Sequence, residues 1–231
     1  MFNEGPPVTP RPAATVLLID HTVPPWKVLM MRRPGGADFA PGAYVFPGGS
    51  VHAEDAELGD ECRAAATREL FEEVGILLAR LPSGRFARNR ECGRLRELVE
   101  AGDGWISALR ELELTPATDR LVFLARWVTP EVVARRFDTR FYLARRPAGQ
   151  TVHPQPGEVV DWTWTTPANA LAPGGLQMVH ATRRVMQSLN GEQHASRLIA
   201  RLRRRAETPP VLPRVVRRAD GGFEVVDDAI A

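Results

Sequence analysis

At 231 residues, with 44% apolar and 25% charged side chains, the chain has the composition of an ordinary globular protein and can bury a substantial core. Its length fits one large domain or one domain with an appendage, and a net charge of +2 is too close to neutral to favour a nucleic-acid partner. No run of residues approaches the ~18 apolar positions of a membrane span, and Cys62 and Cys92 show no metal-ligand spacing, so a soluble, cytoplasmic chain without disulfides or a thiolate zinc site is expected.

A Pro-rich leader (1–12) precedes AATVLLID (13–20) and WKVLMMRR (26–33), short runs rich in β-formers and bounded by Pro and Gly, which predict strands. The segment 32–49, RRPGGADFAPGAYVFPGG, is punctuated by glycine and proline and reads as loop around a short AYVF strand. From Glu61 the period becomes helical. Ala66, Leu70 and Val74 recur at i+4 as one apolar stripe, and Gly75 suits a left-handed C-terminal cap. Residues 90–113 predict two short helices joined at Gly102–Gly104, a helical insertion at about 88–116.

Three strand-like segments follow at 120–130, 135–146 and 158–166. In the second, Phe137, Thr139, Phe141 and Leu143 alternate with Asp138, Arg140 and Tyr142, the pattern of a half-buried strand, with Asp138 paired to Arg136 or Arg140. Helical patterns return at 176–190 and 192–205, and a terminal hairpin is expected around Asp220-Gly221-Gly222. This order predicts an α/β fold in which helices pack on a mixed sheet, with one domain over 13–190 and an extension, 191–231, packed on it.

The stretch RELFEEVG (68–75) places Glu69, Glu72 and Glu73 on one helix face, opposite the apolar stripe. Like charges at this spacing repel, and near a helix C-terminus the macrodipole disfavours carboxylates by a few tenths to about 1 kcal/mol each. A cation is therefore called for, either Arg68 or a hard divalent metal with oxygen ligands, unless the glutamates are simply a solvated face.

With the glycine turn FPGG (46–49) before it, RELFEEVG resembles the Nudix box, GX5EX7REUXEEXGU with U aliphatic. Arg68, Glu69, Leu70, Glu72, Glu73, Gly75 and Ile76 match its right half. The left half is longer by about five residues than the family spacing, so that counting back from Arg68 leads to Asp60 and counting forward from Gly48 leads to Glu54 for the first acidic position. FAPGAYVFPGGSVHAED, the insertion, RRFDTRFYLA and GEVVDWTW look like the branch typified by the peroxisomal CoA and acyl-CoA diphosphatases. Asp38 departs from a CoA signature that has arginine at that position, and the terminal AIA is not the peroxisomal end signal.

The resemblance implies a Nudix α/β/α sandwich around a mixed sheet, with a helical insertion and a C-terminal helical extension. It also implies hydrolysis of a diphosphate bond in a nucleoside diphosphate linked to another moiety, with Mg²⁺ or Mn²⁺ as cofactor. On it, Glu72 and Glu73 are metal ligands, Glu69 is a ligand or assists the base, Arg68 orients the glutamates, and the Gly49 carbonyl completes the shell. Glu158, after the Pro-Gly turn of QPGE, is a ligand or general base. Arg32 and Arg33 are placed to grip phosphates or to form a solvated strand end, and Tyr44 to stack on a base or to join the core. A CoA or acyl-CoA substrate is expected. The alternatives are an ADP-ribose or NAD(H) pyrophosphatase and, from another class, an inactive nucleotide-binding or regulatory module of the same fold, with a homodimer open in each case.

Overall fold

The computed structural model describes residues 5–37 and 39–227, so Asp38 and its signature position lie outside the described residues. In chain order, β1 (Arg11–Asp20), β2 (Lys27–Arg32), β3 (Tyr44–Val45) and β4 (Gly48–Ser50) lead through a 3-10 turn at Ala53–Leu58 into α1 (Glu61–Val74). The short strands β5 (Ala79–Arg80) and β6 (Thr115–Pro116) bracket α2 (Asn89–Glu100) and α3 (Trp105–Glu111). Then come β7 (Val122–Val128), β8 (Phe137–Arg145), β9 (Asp161–Thr165), α4 (Pro167–Leu171), α5 (His180–Leu189), α6 (Ala195–Arg204), and the hairpin β10 (Arg214–Arg217) and β11 (Phe223–Val226).

Strand β1 organises the sheet. One edge pairs in parallel with β8, from Arg11 opposite Phe137 to Ile19 opposite Arg145, which draws Arg11 and Pro12 of the expected leader into the ladder. The other edge is divided. Strand β2 takes its C-terminal end, with Ile19 opposite Val28, and β4 takes the N-terminal end, with Thr15 opposite Gly48. The sheet runs β3-β2-β1-β8-β7, with β9 on β2 and β4 on β1, and its one parallel pair makes it mixed.

The period of two along β1 sorts the core into two layers. Leu17 and Ile19 pack with Val28, Met30 and residues of α5 and α6, while Val16 and Leu18 pack with Leu29, Met31, Ala66, Leu70 and Val74. Helix α1 therefore covers one face and α5 and α6 the other, the α/β/α arrangement. A third cluster, built by α2 and α3 with Phe71 and Leu77, closes over the outer side of α1. Among the described residues no helix is long and apolar enough to cross a membrane.

Two local expectations are corrected. Strand β8 does not alternate between buried and exposed: Phe137 to Arg140 are half-buried, and Phe141 to Ala144 are all buried. It lies between β1 and β7 with a cluster on each face, so Phe141 and Leu143 join one and Tyr142 and Ala144 the other. Asp138 pairs with neither Arg136 nor Arg140 but with Arg126 on the antiparallel strand β7, at 2.7 and 2.5 Å. Cross-strand register brought that partner, which adjacency in sequence does not reveal.

Gly75 ends α1 in the left-handed conformation, φ 71°, with its N–H bonded to the Phe71 carbonyl. The His153 and Gln155 N–H groups donate to the carbonyls of Val74 and Glu73 at 2.9 and 2.8 Å, so a loop from before β9 is tied to the helix end. A Cβ on Gly75 would meet Arg96 Nη2 at 2.4 Å. Gly75→Ala is expected to lower the urea midpoint at unchanged m-value, with a loss of at least the ~1–2 kcal/mol cost of a left-handed L-residue.

Candidate metal and substrate site

Arg68 is buried, with its side chain 1% exposed. Burial disfavours a cation, and this one is kept charged because every nitrogen of the guanidinium has an acceptor. Nε donates to Asp55 Oδ1 (3.2 Å), and Nη2 to Asp55 Oδ2 (3.0 Å) and the Ser50 carbonyl (2.9 Å). Nη1 donates to Glu69 Oε1 (2.9 Å) and Glu72 Oε2 (3.0 Å). Asp55 and the two glutamates hold its proton more tightly than usual against that burial.

Asp55 is the residue that sequence reasoning missed. Neither Glu54, which is exposed, nor Asp60 partners Arg68; Asp60 instead caps α1 through the Arg63 N–H (3.1 Å) and pairs with the Arg63 side chain. Asp55 is fully buried and also accepts the His52 N–H at 2.8 Å. The signal was in the spacing, since five residues separate Gly49 from Asp55, as in the family box. The extra residues thus fall after the first acid, in the turn that delivers the Asp60 cap.

Two of the three glutamates do not belong to a solvated face, while the Glu72 side chain is 39% exposed. The Glu69 side chain is 13% exposed and Glu73 as a residue 5%, because β4 and the turn after it cover this side of α1. Gly48 N–H donates to Glu73 Oε2 at 2.7 Å, and a Cβ on Gly49 would sit 2.5 Å from Glu69 Oε1, so only glycine admits that carboxylate. Burial raises the pKa of Glu69 and of Glu72, with Arg68 opposing it in both. Burial and then the charge of Glu69 push Glu73 well above the usual carboxylate range, against the Gly48 N–H and Arg33.

Asp55, Glu69 and Glu72 share one buried guanidinium, and Glu73 is bonded to the Gly48 N–H and not to Arg68, so the ionised group is net anionic. Oxygen donors in anionic surplus suit a hard divalent cation. Among the described residues, however, no three carboxylate, imidazole or thiolate side chains converge closely enough as they stand to hold an ion. Arg68 draws Glu69 and Glu72 to itself, and Gly48 holds Glu73. The donor chemistry fits such an ion, and those bonds are what its arrival would have to exchange.

Glu158 is exposed on the loop that caps α1, and its charge acts on both Glu72 and Glu73. On the other side of β4 lies a cavity of about 410 Å³, lined by Arg33, Phe39, Gly48, Gly49, Ser50, Trp127, Phe141 and His180 among others. Arg33 thus faces the cavity and the field of Glu73 together. Arg32 and Tyr44 do not line it. Arg32 Nε donates to the Gly42 carbonyl (3.2 Å), and the Tyr44 hydroxyl bonds Asp161 while its ring packs on the core.

The family model of the NUDT19 Nudix domain matches residues 58–173, half of the chain, and the chain belongs to the Nudix hydrolase family. It is 35% identical over 157 residues to a putative nudix hydrolase 7 of Caenorhabditis elegans, an alignment covering 68% of this chain and 52% of the relative. It is 25% identical over 206 residues to the acyl-coenzyme A diphosphatase NUDT19 of Xenopus laevis, covering 63% and 54%. The chain thus spans about half the length of these curated relatives. A crystal structure of a NUDIX hydrolase from Alicyclobacillus acidocaldarius superposes with a TM-score of 0.71 at 27% identity, over 83% of this chain and 96% of that one.

Two outcomes follow from this site. Asp55→Ala leaves Arg68 Nε without its acceptor and removes one of three carboxylates around the buried guanidinium, and is expected to cost about 1–3 kcal/mol in chemical denaturation. The raised pKa values of Glu69, Glu72 and Glu73 mean that the stability held with these groups protonated is complete below the ordinary value of 4.5 and is lost as pH rises through the folded values. Carboxylates with lowered pKa, such as Asp119 and Asp138, are ionised in that window and do not contribute there. Protein kept in EDTA is therefore expected to melt at falling temperature as pH rises above 4.5, with a shallower slope for Glu73→Gln.

Proposed function

We propose that this Nudix hydrolase is a divalent-metal-dependent pyrophosphohydrolase that cleaves the diphosphate of a nucleotide linked to another moiety, with CoA or acyl-CoA as the favoured class. The observation that carries the reading is the anionic surplus around buried Arg68, placed across a glycine strand from a cavity. The relatives named acyl-coenzyme A diphosphatase favour the CoA class over ADP-ribose or NAD(H). Residues 13–190 are read as the catalytic domain, with 191–231 an extension of the same unit.

In this reading Glu69, Glu72, Glu73 and the Gly49 carbonyl hold the ion, with Glu158 as a further ligand or as the base. What Mg²⁺ or Mn²⁺ supplies when bound is neutralisation of the diphosphate charge and a more acidic water. Arg68 holds Glu69 and Glu72 in place by charge-assisted bonds, and Asp55 keeps Arg68 in place. Arg33 binds a phosphoryl oxygen from the cavity side. When Glu158 acts as the base, it takes the proton of the water that attacks phosphorus as one P–O bond of the anhydride breaks.

The test is a panel of CoA, acetyl-CoA, ADP-ribose and NADH with Mg²⁺ or Mn²⁺, with the products weighed. Cleavage of the CoA compounds into two phosphorylated halves is expected. Preference for ADP-ribose would move the substrate class, and no turnover on any member would favour a binding module. EDTA is expected to abolish turnover. Glu73→Gln is expected to lower kcat at least ~10²-fold, the scale of losing one preorganised charge-stabilising group; unchanged kcat at saturating metal would refute its assigned role.

A further inference from the structure

One wall of the cavity is made by the C-terminal segment, which contributes Pro213 and Val225 beside Trp127 of β7 and His180 at the start of α5. That segment is a strap held at two places. The Val211 N–H donates to the Arg126 carbonyl (2.8 Å) and the Val211 carbonyl accepts the Val128 N–H (3.0 Å), which lays the chain along the edge of β7. Between the two attachments, β10 and β11 pair with each other and not with the main sheet. Beyond the hairpin the Asp227 side chain, 2% exposed, is clasped by His180 Nε2 (2.6 Å) and the Arg184 guanidinium (2.9 Å).

The lining carries cations and hydroxyls but, among the described residues, no carboxylate and no carboxamide. Arg33 and Arg135 belong to one rim. Arg33 Nε donates to the Phe39 carbonyl (3.0 Å), the Phe39 and Phe137 rings meet with centroids 5.6 Å apart, and Arg135 lies over the Phe137 ring at 5.5 Å. The charge of Arg33 also reaches Glu73, which makes this rim the phosphoryl side. Thr15 Oγ1 donates to the Pro47 carbonyl (2.6 Å), and Thr129 is bonded to the Phe137 main chain (3.0 and 3.3 Å). Ser50, Thr139 and Thr182 bring further hydroxyls to the lining, with Thr139 set by the period of two on the sheet face of Phe141. Most of what remains is Val, Ala, Phe and Pro.

A ribose joined to a diphosphate brings vicinal hydroxyls, which carboxylates or carboxamides commonly accept and which are costly to bury without such partners. A branched aliphatic arm with scattered amide and hydroxyl groups needs only apolar surface and a few hydroxyls. ADP-ribose and NAD(H) present a ribose on both sides of the diphosphate, whereas CoA presents a dimethyl-branched pantetheine arm on one. We propose that the cavity is the subsite for such an arm, and that the C-terminal strap determines substrate choice by limiting its room through Val225. The volume of about 410 Å³ is in the range of small-ligand sites, roughly 300–1,000 Å³. The inference rests on the reading of the substrate as a CoA-class diphosphate with its phosphates toward β4.

The experiment titrates the full chain, in EDTA, with three monophosphates that share one head and differ in what it carries: 4′-phosphopantetheine, ribose 5-phosphate and AMP. Calorimetry follows binding to the native protein and to Val225→Trp, which adds bulk to the strap wall at a half-buried position. Phosphopantetheine is expected to bind the native protein at least ~tenfold more tightly than the other two, the effect of burying about two methyl groups. Val225→Trp is expected to remove that margin and to leave ribose 5-phosphate binding unchanged. Val225→Leu, a smaller step at the same place, stands in if the tryptophan variant does not fold. Equal binding of all three, which is recognition of phosphate alone, would overturn the proposal. So would tighter binding of AMP or ribose 5-phosphate, no binding of phosphopantetheine, or a margin that the substitution at Val225 leaves intact. Turnover is not read, so cleavage of CoA without this margin counts against the subsite alone, and the margin without cleavage of CoA counts against the hydrolase reading alone.

Discussion

One buried guanidinium ties the site together. Arg68 reaches from the middle of α1 to the turn after β4 through Asp55, to β4 itself through the Ser50 carbonyl, and to Glu69 and Glu72 on its own helix. Removing such a group from water is tolerable only where its donors are satisfied, so the network admits few arrangements of these segments. The position of β4 follows from it. That strand forms the partition between the carboxylates and the cavity, close enough on one side that Glu69 occupies the space of a Gly49 side chain.

The sheet supplies the other half of the constraint. Because β8 occupies one edge of β1 along its length, β2 and β4 must share the opposite edge, and β4 is held over the N-terminal half of β1. Gly48 lies against β1 so closely that a Cβ would meet the Ala14 carbonyl oxygen at 2.3 Å. At the other end of α1, the loop carrying Glu158 is held by main-chain bonds to the last carbonyls of the helix. A backbone cap thereby brings an acidic residue from a distant segment within electrostatic reach of Glu72 and Glu73.

Burial, with repulsion second at Glu73, gives the carboxylates their chemical character. Their raised pKa values come first from burial, and for Glu73 next from Glu69, while the single guanidinium is already shared by Asp55. Carboxylates that are costly to ionise in this way gain from a divalent ion the compensation that the fold withholds from them. The cavity beyond β4 carries no carboxylate in its lining, which joins Val, Phe and Ala side chains with threonines and with Arg33, common to both compartments. Such a division suits a substrate with one highly charged part and one that is not.

Much of this was legible in the sequence where the signal is local. The helical period of α1, the glycine that caps it, the hairpin at Asp220-Gly221-Gly222 and the carboxylates at i, i+3 and i+4 are set by neighbours within a few residues. Asp55 was missed because its role depends on what folds back beside Arg68, and a glutamate one position earlier offers the same charge. The burial of both faces of β8 over Phe141 to Ala144, the pairing of Asp138 with Arg126, and the joining of Trp127, His180 and Val225 in one wall belong to the tertiary structure alone. By itself the sequence determined the elements and the charge that gathers on one helix. Only the packing of strands and loops distant in the chain decided which acid holds Arg68, how dry the glutamates become and what faces the cavity, because burial and register are properties of neighbours that sequence order does not bring together.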